Sequence, residues 1–165
     1  MGVGIMRVLH LLSDLEIGGG PQHALTLTLG LHRLGIESAV AGPNGPMRAQ
    51  FEAAGIRTIE NASWIQLRAM VHVDEVDLVH AHGKAPALLA PLLGRPVVRT
   101  FHGLHYEGYG PVKRRLYFAI ERWLARRTAA IIHLTDAQAA EAEHVGLPGG
   151  HVIPNGIEAE RIEAD

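Results

Sequence analysis

An open, doubly wound α/β sheet of parallel strands is the fold class the sequence predicts, and three observations predict it. Short apolar runs of strand length alternate with stretches of roughly 10–15 residues that carry apolar positions at helical spacing. Glycine and proline clusters punctuate them, as in Gly18-Gly19-Gly20-Pro21 and Gly42-Pro43-Asn44-Gly45-Pro46. Strands separated by helices of that length need right-handed crossovers, which lay the strands parallel and place helices on both faces.

Met6 to Leu12 is an apolar run halted by Ser13-Asp14, hence a buried first strand. Pro21 stands where a first helical residue is tolerated, and Ala24, Leu25, Leu27, Leu29, Leu31 and Leu34 carry the helix that Gly35 closes. Glu37 to Ala41 predicts the second strand, Met47 to Ala54 a short helix and Ile56 to Ile59 the third strand. A weak helix near Trp64 to His72 leads to a strand over Val76 to His80, then a helix over Ala85 to Leu93 and a strand over Pro96 to Phe101. After a loop rich in Gly, His and Tyr come a long helix from Pro111 to Arg126, a strand over Ala129 to Leu134 and a helix over Asp136 to His144 that Asp136 would cap. Leu116, Ile120, Trp123 and Leu124 are expected to form the inward face of the long helix. The run His151 to Gly156 closes the series. One domain is expected over residues 6–152, with 1–5 as an N-terminal extension and 153–165 as the start of a linker.

Composition removes several function classes. A chain of 165 residues, 47% hydrophobic and 19% charged, has the apolar content for one core and is not a disordered segment. Without cysteine there is neither a disulfide framework nor a Cys-based zinc ribbon. A net charge of −2, from 15 basic and 17 acidic residues, removes the electrostatic case for a nucleic-acid partner. No run approaches the ~18 apolar residues of a membrane span. The first residues lack the basic and apolar regions of a signal peptide, so a cytoplasmic location is expected.

In sheets of this class ligands bind beyond the carboxyl ends of the strands, near the point where strand order reverses. That rule selects Ser13 to Gly20, His80-Ala81-His82-Gly83 and Thr100 to His105. Gly18, Gly19 and Gly20 ahead of a helix let backbone N–H groups approach an anion such as a diphosphate; a turn cluster without a ligand is the other reading. A dinucleotide fingerprint fails at His23, where glycine or alanine is required, and Gly83-Lys84 lacks the rest of a Walker loop. His80 and His82, two apart on a strand, point to one side, a spacing that can hold a metal. No nearby carboxylate completes a metal-hydrolase pattern, so no metal is expected, and backbone-bonded or cleft-lining imidazoles are the other reading. His102 directly follows an apolar strand and precedes glycine, which suits hydrogen bonding or proton transfer at a substrate near neutral pH. Lys113, Arg114 and Arg115 open a helix carrying six basic residues against one acid within 113–127. That helix is either a solvated basic face or, with Tyr106, Tyr109, Tyr117 and Phe118 nearby, one that leans on an anionic membrane or a lipid phosphate.

Four stretches, Met6 to His23, Asp77-Leu78-Val79-His80-Ala81-His82, Val98-Arg99-Thr100-Phe101-His102-Gly103 and Val152-Ile153-Pro154-Asn155-Gly156-Ile157, resemble in order and spacing the N-terminal half of a GT-B glycosyltransferase of family four. Thr100 to Arg127 is most similar to the branch that builds exopolysaccharide, capsule or O-antigen repeats on a lipid carrier. The resemblance implies a Rossmann-like acceptor-side domain of a retaining, nucleotide-sugar-dependent hexosyltransferase that needs no metal or other cofactor. It implies that Gly18, Gly19 and Gly20 lie against the donor diphosphate and acceptor, that His102 stands at the reaction centre, and that His23, His82, Gly103 and His105 line the acceptor side. The acceptor would be a glycan or a lipid-linked sugar, reached from the inner face of the membrane. The family's donor-binding domain would lie beyond Pro154-Asn155-Gly156, so a missing domain or partner subunit is expected to complete the enzyme. A non-catalytic binding or assembly module that pairs with a partner glycosyltransferase is the alternative, and a histidine metal hydrolase a third.

Overall fold

Each apolar run becomes a strand: β1 (Arg7–Leu12), β2 (Glu37–Gly42), β3 (Arg57–Glu60), β4 (Leu78–His82), β5 (Val97–Phe101), β6 (Ala130–His133) and the two-residue β7 (His151–Val152). In the computed structural model, which describes residues 5–104, 106–147 and 149–156, they form one seven-stranded sheet in the order β3-β2-β1-β4-β5-β6-β7. Every pairing is parallel. Strand order reverses between β1 and β4, which fixes the ligand crevice of a doubly wound sheet at that junction.

The connecting helices are α1 (Gly19–Arg33), α2 (Arg48–Ala53), α3 (Trp64–Val73), α4 (Lys84–Leu89), α5 (Pro111–Ala125) and α6 (Asp136–His144). Side-chain alternation along β1 splits the core between the two faces. Leu12 packs with Leu25, Val40 and Phe51 on the side of α1 and α2, whereas Leu9 and Leu11 turn the other way, toward Val71, Val79 and Leu93. A third cluster, built on Phe101, Ala125, Ile131 and Ala142, seats α5 and α6. Among the described residues no helix is long and apolar enough to cross a membrane.

Four elements depart from the sequence expectation, each for a physical reason. α1 begins at Gly19 rather than Pro21, because Gly18 in extended conformation serves as its N-cap and its carbonyl accepts the Gln22 N–H at 3.1 Å. β4 runs to His82 instead of stopping at His80, so both imidazoles sit inside the sheet. The helix expected over Ala85 to Leu93 ends at Leu89 and finishes as a 3-10 turn over Ala90–Leu93, where Pro91 has no N–H to continue the α ladder. Thr135, not Asp136, caps α6: its Oγ1 accepts the Gln138 N–H at 3.2 Å, and Asp136 occupies the first turn, where a carboxylate meets the positive end of the helix.

The largest correction concerns α5. Leu124 is buried as expected, but Leu116, Ile120 and Trp123 face outward and are 61%, 40% and 40% exposed. The inward face instead carries Glu121, Leu124 and Ala125, flanked by half-buried Tyr117 and Phe118. Glu121 turns inward because Arg99 on β5 meets it: Arg99 Nη1 lies 2.7 Å from Glu121 Oε2, and both side chains are almost completely buried. Removing one member of a buried ion pair leaves the other charge uncompensated, at a cost of about 3–5 kcal/mol. Glu121→Ala should therefore lower the melting temperature by roughly 10 °C in a chain of this size. A melting curve within two or three degrees of wild type, on the order of 1 kcal/mol by the same scaling, would remove the pair from the account of stability.

Candidate active site

The crevice at the β1–β4 junction holds a recess of about 150 Å³. The loop after β1 supplies Ser13 and Asp14, the start of α1 supplies Gly20 and Pro21, and the ends of β4 and β5 supply His82 and His102. This is the carboxyl edge that the sequence selects, and the structure brings Gly20, His82 and His102 together there.

Gly20 lines this recess, and Gly18 and Gly19 lead into it as exposed residues. A Cβ placed on Gly18, Gly19 or Gly20 meets no protein atom within 4 Å, and none of the three has a positive φ. Neither packing nor backbone strain requires glycine at these positions. Their effect is to bare the first turn of a fifteen-residue helix, whose unpaired N–H groups and dipole favour an anion. Gly83 is a different case: its φ is +94°, and a Cβ there would lie 2.4 Å from Ser13 Oγ. That glycine is required by the turn from β4 into α4.

Histidine dominates the floor of the recess. Register pairs His10 with His80 and Leu12 with His82 across β1 and β4, so the three imidazoles share one face of the sheet. His10 Nδ1 lies 3.1 Å from His82 Nε2, and His80 Nε2 lies 2.8 Å from Thr100 Oγ1 on β5. The His80 and His82 rings stack at 4.1 Å. From His82 the series continues outward through His23 on α1 at 5.7 Å to His102 at 6.4 Å from His23. Burial, reinforced by neighbouring imidazoles, pushes His10 and His82 well below the ordinary histidine range and His80 down to about 3. His23 is lowered in the same direction by burial and by His102. His10, His23, His80 and His82 are therefore neutral at physiological pH and act as hydrogen-bonding groups rather than as cations.

His10, His80 and His82 present ligand nitrogens within 4.8 Å of one another, a set that could receive a metal ion. His10 Nδ1 and His82 Nε2 bond each other and His80 Nε2 bonds Thr100, so each imidazole has one partner without an ion, whereas His10 Nε2 and His82 Nδ1 are buried with no hydrogen-bond partner among the described residues. His80, expected at a strand end open to substrate, is walled in, and only His82 of the β4 pair reaches the recess.

The remaining candidates are placed as follows. Gly103 continues the loop after β5 with φ +95°, and the next amide, Leu104 N–H, donates to Glu141 Oε2 at 3.3 Å. Glu141 on α6 thus anchors the loop that carries His102. His105 lies outside the described residues. Lys113, Arg114 and Arg115 are exposed on the first turns of α5, away from the recess, with Lys113 Nζ 4.0 Å from the Tyr109 ring centroid. Tyr106, expected to support a membrane face, is instead occupied internally: its ring meets Phe118 at 5.1 Å beside the third core cluster.

Three contributors were not anticipated. His10 sits mid-strand among apolar residues, and only the β1–β4 register gives it a role. Glu141 belongs to a helix of ordinary polar composition. Asp14, inside the selected stretch but given no role there, brings a carboxylate to the rim; its Oδ1 accepts the Glu16 N–H at 3.2 Å and so shapes the loop.

Comparison with known proteins bears on the fold and the family. The chain is 31% identical over 97 residues to "Putative glycosyltransferase EpsD" of Bacillus subtilis, a match covering 54% of this chain and 26% of that protein. Anabaena Alr3699/HepE, solved with UDP and glucose, superposes with a TM-score of 0.76 at 18% identity over 93% of this chain and 45% of its own. MurG of Acinetobacter baumannii does so with a TM-score of 0.63 at 14% identity, over 90% and 45%. The chain thus spans less than half the length of each of these relatives, and its sheet is one Rossmann-like unit of the GT-B kind. Residues 17–161 match the pattern that defines the family, and the chain accordingly belongs to Glycosyltransferase Family 4.

Proposed function

We propose that this chain is the acceptor-side domain of a retaining glycosyltransferase that moves a hexose from a nucleotide-sugar to a glycan or lipid-linked acceptor in polysaccharide biosynthesis. The observation that carries the reading is the recess at the strand-order reversal, where the bare first turn of α1 faces His82 and His102. An anionic diphosphate suits the helix terminus, and a sugar hydroxyl suits a neutral or protonated imidazole. The solved relative that contains UDP supports a nucleotide-sugar donor.

In this reading His102 hydrogen-bonds the transferring sugar, Gly18 to Gly20 admit the diphosphate, and His23, His82, Gly103 and His105 contact the acceptor. Asp14 is exposed and holds the loop through its own Asx turn, so it is not cast as a nucleophile. Departure of the leaving phosphate assists attack on the same face of the sugar. No metal is required for that step.

A second cavity of about 320 Å³ shares Leu12 and Ser13 with the recess and is otherwise mostly apolar, with Leu67, Pro86 and Leu89 in its wall. An acceptor whose sugar adjoins a hydrocarbon chain would occupy both, which favours the lipid-linked class over a free glycan.

The recess supplies one wall of a cleft, and transfer depends on holding both substrates in register while excluding water. A donor-binding half would complete the site. Nucleoside-diphosphate release should be measured with these purified 165 residues, a panel of nucleotide-sugars and a lipid-linked sugar extract, with and without a donor-binding half of the same family. Turnover only when the second half is present is the expected result. Robust unaided turnover overturns the division of labour, and a silent reconstituted pair that also fails to bind acceptor lipid overturns the transferase reading.

A further inference from the structure

α5 carries a surface that the acceptor site does not use. Val112, Leu116, Ile120 and Trp123 are 84%, 61%, 40% and 40% exposed and follow one another at helical spacing. At about 100° per residue they occupy roughly 80° of the helix circumference, a single ridge along the whole element. Isolated exposed apolar residues are ordinary, but four in one line that ends in tryptophan form a patch.

Charge is arranged around this ridge. By the same helical angle Lys113 borders it on one side and Arg115, with Arg126 just past the helix, on the other. All three are exposed. Arg127 lies over the Trp123 ring at 4.1 Å, beside the ridge's end. The only acid in residues 113–127, Glu121, is buried on the opposite face against Arg99. The outward surface of α5 is therefore apolar along its centre, cationic along its flanks and free of acid, in a chain whose net charge is −2.

We infer that α5 lies in the interface of an anionic bilayer, with Val112, Leu116, Ile120 and Trp123 entering the acyl boundary and Lys113, Arg115, Arg126 and Arg127 at the lipid phosphates. Charge complementarity selects this occupant. A protein partner of ordinary composition would not need cations on both sides of the ridge, whereas an anionic lipid surface satisfies both at once. The inference rests on α5 alone and stands whether or not the acceptor-site reading holds.

The test is flotation of the purified chain with vesicles of phosphatidylcholine or of phosphatidylcholine mixed with phosphatidylglycerol. Binding to the phosphatidylglycerol vesicles, weakened by salt, with negligible binding to pure phosphatidylcholine, is expected. In a Trp64→Phe background, Trp123 emission should shift to the blue on binding. Leu116→Asp with Ile120→Asp should abolish flotation. Lys113→Glu with Arg115→Glu should weaken it at least about tenfold, since each basic residue near an anionic leaflet contributes on the order of fivefold. Circular dichroism establishes that these surface variants keep the fold. Absence of binding at low salt, binding untouched by Leu116→Asp with Ile120→Asp, or a stable dimer that this pair dissociates would each overturn the assignment, the last by making the ridge a contact between copies.

Discussion

Lowering the pH from 7.5 to 5.0 should strip this fold of much of its stability through its buried histidines. Unfolded, the imidazoles of His10, His80 and His82 take up a proton near pH 6.5. Folded, His80 does not do so until about pH 3, and His10 and His82 are displaced in the same direction by burial. The unfolded chain binds more protons throughout that interval, so stability is complete above about pH 6.5 and falls as pH drops toward 3. The slope is about 1.4 kcal/mol per pH unit for each histidine, so His80 alone removes about 2 kcal/mol by pH 5.0. His10 and His82 add losses of the same sign, in a domain whose total stability is ordinarily ~5–15 kcal/mol. The surface ion pairs of Arg7, Arg48 and Arg57 have solvated partners and add little in this window. Thermal melts at half-unit pH steps provide the measurement, and a melting temperature that stays level from pH 7.5 to 5.0 would contradict the buried, neutral cluster.

Replacing His102 with alanine in the reconstituted two-part enzyme should lower sugar transfer by about 10²- to 10³-fold, the usual consequence of removing a positioned hydrogen-bond donor at a reacting centre. The side chain is half-buried at the mouth of the recess and outside the core clusters, so melting behaviour should stay close to wild type. A fall in kcat with acceptor binding retained assigns His102 to the chemical step. Activity within about threefold of wild type, far short of that loss, would favour a domain that binds and assembles without taking part in transfer.

Much of the architecture is legible in the sequence because apolar runs and glycine-proline punctuation encode where strands begin and end. The carboxyl-edge rule then leads to Gly18 to Gly20, His82 and His102 without any coordinates. What escapes is pairwise. His10 is an isolated polar residue until β1 is laid against β4 and sets it opposite His80. The orientation of α5 escapes for a similar reason. Helical periodicity offers two faces sharing Leu124, and hydrophobicity favours the one with Leu116, Ile120 and Trp123. The contact that reverses the choice, Arg99 with Glu121, joins a strand to a helix across a long loop. Local composition records neither partner's need for the other. The sequence pattern sets β4 two residues early because histidine reads as the polar end of a strand, although a neutral, hydrogen-bonded imidazole is an acceptable core residue.

The empty surroundings of Gly18, Gly19 and Gly20 bear on how such a domain can change its preferences. A methyl group at any of the three would meet only solvent or a ligand, and in the helix itself alanine is the better former. On the proposed reading, substitutions there would be filtered by what binds beside Gly20 and hardly at all by folding. Variation at these positions would then redraw the range of accepted molecules while the seven strands beneath stay undisturbed, giving both natural drift and a designed library a short segment in which specificity is separable from the scaffold.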